Sequence, residues 1–410
     1  MPREGIAAMP TQTIEQIPVE GLRALIRVDF NVPMRDGRIT DDRRIRSALP
    51  TIKSVLDRGG SVVLMSHMGR PKGGSFEPEH SLEPAALRLG ELLGTSVVFP
   101  SHDCIDDDAR QAVESLQPGG VVLLENLRFH DAEKKGDAVF AASLAAYGDL
   151  YVNDAFGTCH RAHASMVAVP KAMEGKPKVA GLLVEKEIAF LSEAIANPKR
   201  PMVVILGGAK VSSKIGAIEH LLPKCDAMLI GGAMAYTFMR AKGEPTGNSM
   251  VEEDHVATAE RAMRTAEDAG VDLLLPLDHR VAEEFKIGSP TVVAETIPDG
   301  TIAVDIGPRT ASMYVERIEG AESALWNGPM GVFEWSGADV GTRAVADALA
   351  RATTNGATTI VGGGDSAAAL DAMGLAADMT HVSTGGGASV EMLEGKRFEA
   401  IDVLDQAPST

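Results

Sequence analysis

The sequence predicts two doubly wound α/β domains, each built on a parallel sheet, joined by a connector helix and separated by a cleft. Three observations carry this prediction. Short runs that are apolar at every position alternate with longer amphipathic stretches, as parallel strands covered on both faces require. The alternation occurs as two successive arrays, with a one-sided helical segment between them. Polar and glycine-rich clusters follow directly after the apolar runs, at the strand ends where open α/β sheets collect ligands.

In the first array the expected strands are 25–28, 62–65, 121–124 and 151–152. In the second they are 203–206, 228–230, 273–275, 302–304 and 359–361. Between the arrays, Gly181 precedes a stretch in which Val184, Ile188, Leu191 and Ile195 recur at helical spacing, and Pro198 and Pro201 mark its end. The predicted boundaries are therefore a domain over 1–181, a connector helix over 182–200 and a domain over 201–397. A stiff connector would act as a hinge between rigid bodies. An ordinary crossover helix inside one domain gives the same pattern.

Composition narrows the function. A chain of 410 residues is too long for one ordinary core and comfortable for two. Its 45% hydrophobic and 23% charged residues describe a soluble globular protein, and the net charge of -18 argues against nucleic acid or anionic membranes as partners. Cys104, Cys159 and Cys225 are isolated, with no CxxC pair, which points to a reducing compartment and no structural zinc. The N-terminal stretch lacks a continuous apolar region and no run spans a bilayer, so a cytoplasmic location is expected.

The strand ends of the first half share one vocabulary. Asp29-Phe30-Asn31 follows the first strand, with Arg43 and Arg44 shortly after. Ser66-His67-Met68-Gly69-Arg70 follows the second, Glu125-Asn126-Leu127-Arg128 the third, and Asn153-Asp154, then Cys159-His160-Arg161-Ala162-His163, the fourth. Four loops on one rim thus supply Arg44, His67, Arg70, Arg128, His160, Arg161 and His163. Guanidinium groups pair with carboxylate and phosphate oxygens two at a time, so the set suits a small, multiply anionic molecule. Singly, each arginine is an ordinary surface charge, and the convergence carries the weight. A metal site at Cys159, His160 and His163 is disfavoured by the intervening Arg161.

The second half is rich in glycine. The strand at 203–206 runs into Gly207-Gly208-Ala209-Lys210, with Lys214 four residues on, which places both lysines on one face if the segment is helical from its start. The strand at 359–361 runs into Gly362-Gly363-Gly364-Asp365-Ser366, and Val382 leads toward Gly385-Gly386-Gly387. Such turns aim helix N-termini at phosphate, and Asp365 is placed to hold Mg²⁺ or to face its own helix dipole. The chain contains no Walker A loop. A dinucleotide reading of Gly362-x-Gly364-x-x-Ala367 is weakened because the next strand ends in Ser383 and Thr384 and not in an acidic residue.

These motifs together resemble the phosphoglycerate kinase family. RVDFNVP at 27–33, SHMGRP at 66–71, ENLRF at 125–129, NDAFGTCHRAH at 153–163, GGAKVSSK at 207–214, DIGP at 305–308, WNGPMGVFE at 326–334, GGGDSA at 362–367 and STGGGAS at 383–389 occur in that family's order. The resemblance covers about 23 to 400. It implies a glycolytic kinase of two Rossmann-like domains, moving a phosphoryl group reversibly between 1,3-bisphosphoglycerate and ADP or 3-phosphoglycerate and ATP, with Mg²⁺ as cofactor. It implies glycerate contacts at Asp29, Phe30, Asn31, Arg44, His67, Met68, Gly69, Arg70, Arg128 and Arg161. Nucleotide contacts are implied at Lys214, Gly231, Pro329, Glu334, Gly363, Gly364, Asp365 and Ser366, with Asp365 on the metal. Arg44, Lys210, Lys214, Gly364 and Gly386 are implied around the moving group. Residues 398–410 are expected to pack back on the N-terminal domain, and the protein is expected to be a monomer. The segment before Arg44 departs from the family's usual neutral pair, which leaves Arg43 as its competitor. The rival reading is a two-domain binding protein that closes on a phosphorylated metabolite without chemistry, but Lys210, Lys214 and Asp365 point to a second, metal-bound anion.

Overall fold

The computed structural model describes residues 11–407, apart from the side chains of 193–195. The expectations for the first ten residues, for the last three of the tail and for the Ile195 side chain lie outside the described residues. The chain divides into two compact units, one of residues 11–189 with 397–407 and one of residues 190–396.

The first unit contains strands β1 (Arg23–Val28), β2 (Met34–Arg35), β3 (Arg38–Ile39), β4 (Ser61–Met65), β5 (Val97–Val98), β6 (Val121–Leu123), β7 (Leu150–Asp154) and β8 (Lys178–Ala180). Six of them form one sheet in the order β5-β6-β4-β1-β7-β8, parallel throughout, while β2 and β3 make a small antiparallel ribbon. The chain winds outward from β1 to one edge and returns to build the other, which makes β1/β7 a topological switch point. Every residue of β4 and β7 is buried, the signature of a strand covered on both faces. Pairing sets Arg27 level with Met65 and Asn153, so Asp29 and the Ser66-His67 turn leave the sheet side by side.

The second unit repeats the plan with β9 (Met202–Leu206), β10 (Ala227–Ile230), β11 (Asp272–Leu274), β15 (Ser323–Asn327), β16 (Thr358–Gly362) and β17 (His381–Val382), in the parallel order β11-β10-β9-β15-β16-β17. Its remaining strands, β12 (His279–Ala282), β13 (Val292–Ala294) and β14 (Ile302–Ile306), form a separate three-stranded antiparallel sheet. This corrects one expectation. The run at 302–304 is apolar because it packs through Ala303 on Tyr236 and Val281 and through Val304 on Trp335, and it is not part of the parallel array. The second-unit core centres on Trp326, Tyr314 and the Val340–Thr354 helix.

The segment predicted as a connector forms a helix over Leu182–Ala196, and the unit boundary at 189/190 falls within it. Two side chains of the first unit accept its leading N–H groups: Thr51 Oγ1 accepts from Leu182 at 2.9 Å and Asp154 Oδ1 from Leu183 at 2.9 Å. Val184 and Leu191 are fully buried and Ile188 is half-buried, so the predicted apolar face is the one that packs. Residues of the tail belong to the first unit. Asp405 exchanges backbone and side-chain hydrogen bonds with Lys178, and Phe398 meets Phe156 edge-on with ring centroids 6.4 Å apart.

Candidate active site

At the carboxyl end of the first sheet, cations converge on a space framed by backbone and two histidines. Arg44, at the start of the Arg43–Leu56 helix, donates from Nη1 to Asp29 Oδ2 at 3.1 Å and to the Asn31 carbonyl at 3.0 Å. Arg43 instead turns outward, its Nε donating to Asp41 Oδ2 at 2.8 Å. The two neighbours are thus separated by geometry: Arg44 faces the strand end, and Arg43 does not. Asn31 Oδ1 accepts from the Gly69 N–H at 2.8 Å, which ties the loop after β1 to the loop after β4. Phe30 is fully buried, and its N–H donates to Ser66 Oγ at 2.8 Å.

Arg128 is the side chain most committed to this end. It is 4% exposed, its Nη1 donates to the Gly69 carbonyl at 2.7 Å, and its Nε has no hydrogen-bond partner. Burial, then the charges of Arg161 and Arg27, bring its pKa down to about 10, so it remains a cation at neutral pH. A buried guanidinium with an unmet donor is costly unless an anion completes it. Asn126 holds the loop behind Arg128 by donating to the Met68 carbonyl at 2.8 Å and the His80 carbonyl at 2.9 Å.

His67 and His163 are kept neutral. His67 lies well below the usual imidazole range because it is buried and because Arg27, Arg128, Arg161 and Arg44 surround it. His163 is pushed down to about 4 by burial and then by the charges of Arg128, Arg27, Arg161 and His160. Arg161 and Arg70 are exposed, Arg161 donating from Nε to His160 Nε2 at 3.1 Å.

One contributor escaped the sequence reading. Arg27 is fully buried beneath the rim, donating from Nε to Ser165 Oγ at 2.9 Å and from Nη1 to the Val28 carbonyl, with Nη2 3.1 Å from His67 Nδ1. Ser165 in turn donates to buried Glu133 at 2.6 Å. The available signal was a charged residue after the apolar run Ala24-Leu25-Ile26, inside the strand and not at its edge.

In the second unit four adjacent strands are each followed by glycine at the same level. Leu206 pairs with Ile230 and with Asn327, and Asn327 with Gly362, so Gly207, Gly231, Gly328 and Gly363 form one row beyond the sheet. The row is close-packed backbone: Gly207 N–H donates to the Asn327 carbonyl at 3.0 Å, and a Cβ at Gly207 would collide with the Pro329 carbonyl. Gly363, at φ +89°, carries the chain into the Gly364–Met373 helix, whose first N–H groups have no side-chain cap. Ser366 in that first turn is buried and accepts from the Gly328 N–H at 2.6 Å.

Lys214 is half-buried and donates from Nζ to Asn327 Oδ1, while the Asn327 amide nitrogen is buried without a partner. Burial lowers the Lys214 pKa, and the charges of Asp365 and Glu394 oppose that fall. Asp365 and Lys210 are exposed, as is Glu334, whereas Pro329 is buried. The shared helical face expected for the two lysines is not formed. Lys210 is extended, a 3-10 turn covers Val211–Ser213, and the α-helix begins only at Ile215, because Ser213 Oγ and Lys214 N–H close the intervening turn on Lys210 and Val211 carbonyls. Gly386, at φ +49°, precedes the Gly387–Leu393 helix. Asn327 is the second residue missed at the sequence level, since β15 itself was overlooked.

Both ends are built for anions, one by buried arginine and one by bare backbone with lysine. Residues 14–396 match the sequence family described as phosphoglycerate kinase. The chain is 56% identical over 404 residues to phosphoglycerate kinase of Rhodopirellula baltica, covering 97% of this chain and 100% of that protein. It is 50% identical over 396 residues to phosphoglycerate kinase of Clostridium perfringens, covering 96% and 98%. Its fold is similar to that of phosphoglycerate kinase from Coxiella burnetii, with TM-score 0.86 and 38% identity over 96% of this chain and 98% of that one. The enzyme from Pyrococcus horikoshii gives TM-score 0.82 at 32% identity, with the same coverage.

Proposed function

The chain belongs to the phosphoglycerate kinase family, phosphotransferases that use a carboxyl group as acceptor, and on that premise we propose how its residues divide the reaction. The first unit holds the glycerate ligand. Its phosphate and carboxylate complete Arg128, Arg70 and Arg161, while Asp29 and Asn31 bond its hydroxyl and Phe30, His67, Met68 and Gly69 shape the floor. The observation that carries this reading is the buried Arg128 with its unsatisfied Nε.

The second unit holds ATP or ADP. Its phosphates lie on the N–H groups at Gly363 and Gly364 and on Lys214, its ribose meets Glu334, and Gly231, Pro329 and Ser366 line the pocket. Asp365 fits the magnesium ion carried by such a nucleotide, being an exposed hard oxygen donor in a helix first turn whose charge acts on Lys214. When bound, magnesium neutralises charge on the nucleotide oxygens.

Neither attacking oxygen needs deprotonation, since the acyl acceptor is a carboxylate and the nucleotide acceptor a phosphate. His67 and His163, held neutral, therefore have no proton to move. Arg44, Lys210, Lys214 and the helix starts at Gly364 and Gly386 supply positive potential to the equatorial oxygens of the group in flight. The protein acts as a monomer in the cytoplasm. Among the described residues no helix is long and apolar enough to cross a membrane.

Two experiments test the assignment. Oxidation of NADH, coupled through glyceraldehyde-3-phosphate dehydrogenase, should require 3-phosphoglycerate, ATP and magnesium together. Turnover without added magnesium would remove the metal from the scheme. Asp365→Ala should weaken Mg-nucleotide binding measured by calorimetry and leave 3-phosphoglycerate affinity unchanged, whereas equal losses for both ligands would contradict the division between units.

A further inference from the structure

We propose that Asp103, Cys104 and His130 form a binding site for a thiophilic divalent cation, Zn²⁺ above all, on the first unit and apart from the arginine rim. One carboxylate oxygen, the thiol sulfur and one imidazole nitrogen lie within 4.8 Å of one another. Carboxylate, thiolate and imidazole are the three donor types that zinc takes, and tetrahedral coordination sets such atoms roughly 3.3–3.7 Å apart. The Asp103–His130 pair is at 3.0 Å as a direct hydrogen bond, so an entering ion would replace that bond and part the two atoms by a few tenths of an ångström.

Two of the ligands are held in place beforehand. Asp103 Oδ1 accepts from the Ile105 N–H at 2.8 Å, and its backbone is locked to Ser101 by hydrogen bonds of 2.8 and 3.3 Å. His130 closes the short helical turn that carries Arg128, its N–H reaching the Leu127 carbonyl at 3.2 Å, and its ring lies against Phe140 with centroids 5.1 Å apart.

The charge around the cluster has the sign a cation needs. Cys104 is 1% exposed, and the carboxylates of Asp103, Glu133 and Glu125 act on it electrostatically. Their negative charge attracts a divalent cation to this position. Arg110 also faces this region, but it acts on Tyr147 and is held by Asp107 at 2.6 Å. Coordination replaces the S–H bond with an S–metal bond and releases the proton to solvent. No sequence motif signals this site, since the third ligand comes from a different loop.

The test uses the full chain, stripped with a chelator and titrated with Co²⁺ as a spectroscopic stand-in. A thiolate-to-cobalt charge-transfer band should saturate at one equivalent and be bleached by Zn²⁺. Cys104→Ser should abolish the band, while Cys159→Ser and Cys225→Ser keep it. His130→Asn, at a half-buried position less exposed to folding defects, should weaken Co²⁺ binding at least ~10-fold. Absence of the band in folded wild-type protein overturns the proposal. So does a band that survives Cys104→Ser, or one that disappears with Cys159 or Cys225 alone. Magnesium held by Asp365 gives no sulfur band, so failure here leaves the nucleotide assignment untouched.

Discussion

Arg128 and Arg44 do different jobs with the same side chain. Arg128 is buried and tied to the Gly69 carbonyl, whereas Arg44 reaches over the strand end from a helix start and retains exposure. Replacing Arg44 by alanine should therefore leave the fold intact and lower kcat by at least ~10³, the scale seen when a cationic partner of a transferring phosphoryl group is removed. Steady-state kinetics with a circular dichroism control would check this, and an unchanged kcat would take Arg44 out of the transfer step. At this scale the sequence was largely legible. Arginine, lysine and glycine after apolar runs are visible as a set, because their recurrence at successive strand ends is what an isolated surface charge or turn does not produce. Arg27 and Asn327 were not legible, since Arg27 is the next-to-last residue of β1 and Asn327 the last of β15, and each looks like part of its strand. Only the register shows that one lies under the rim and the other beneath the glycine row.

At the scale of elements, the Leu182–Ala196 helix rests on a buried carboxylate. Asp154 is fully buried, burial raises its pKa to about 7, and Oδ2 has no hydrogen-bond partner. A carboxyl whose folded pKa exceeds its unfolded value holds its proton more tightly in the native state. Its contribution is then most favourable below pH ~4 and is lost as pH rises toward ~7. Asp154→Asn keeps an acceptor for the Leu183 N–H and removes the ionisation. The stability of the variant relative to wild type should rise by roughly 2–4 kcal/mol between pH 4 and 7 and stay flat above. Urea titrations at several pH values measure this difference, and a flat difference would mean Asp154 ionises normally. Working with the difference matters, since half-buried His163 and buried His279, both lowered to about 4, push the pH dependence of the whole protein the other way. Elements with long apolar runs, such as β4 and β9, were readable from sequence. β15 was not read, although its apolar run Ala324-Leu325-Trp326 is as long as the one at 228–230. β14 was readable as a strand but not as a member of the right sheet, since partner choice is a tertiary fact that apolarity does not encode.

At the scale of the molecule, the first unit is assembled from two separated stretches of chain. Phe398 and Leu404 are nearly fully buried there, and their burial contributes about 3–6 kcal/mol, a large share of what holds a domain together. A chain ended after Lys396 should show a first-unit melting transition that is lowered or lost, while nucleotide binding by the second unit persists. Calorimetric scans with and without ATP would resolve this, and an unshifted first transition would show the tail to be dispensable.

That closing segment also imposes an order on synthesis. Residues 190–396 form one uninterrupted unit and can fold as soon as they leave the ribosome. The first unit, although its body is translated earlier, must wait for residues that emerge after all of the second. At ~5–20 residues per second the delay across about 200 residues is on the order of 10–40 s. Throughout that interval the edge strand β8 lacks its contacts with Asp405, and Phe156 lacks Phe398. The half of the protein made first is thus the half completed last, and its nascent form leaves the side of Phe156 that Phe398 later meets uncovered.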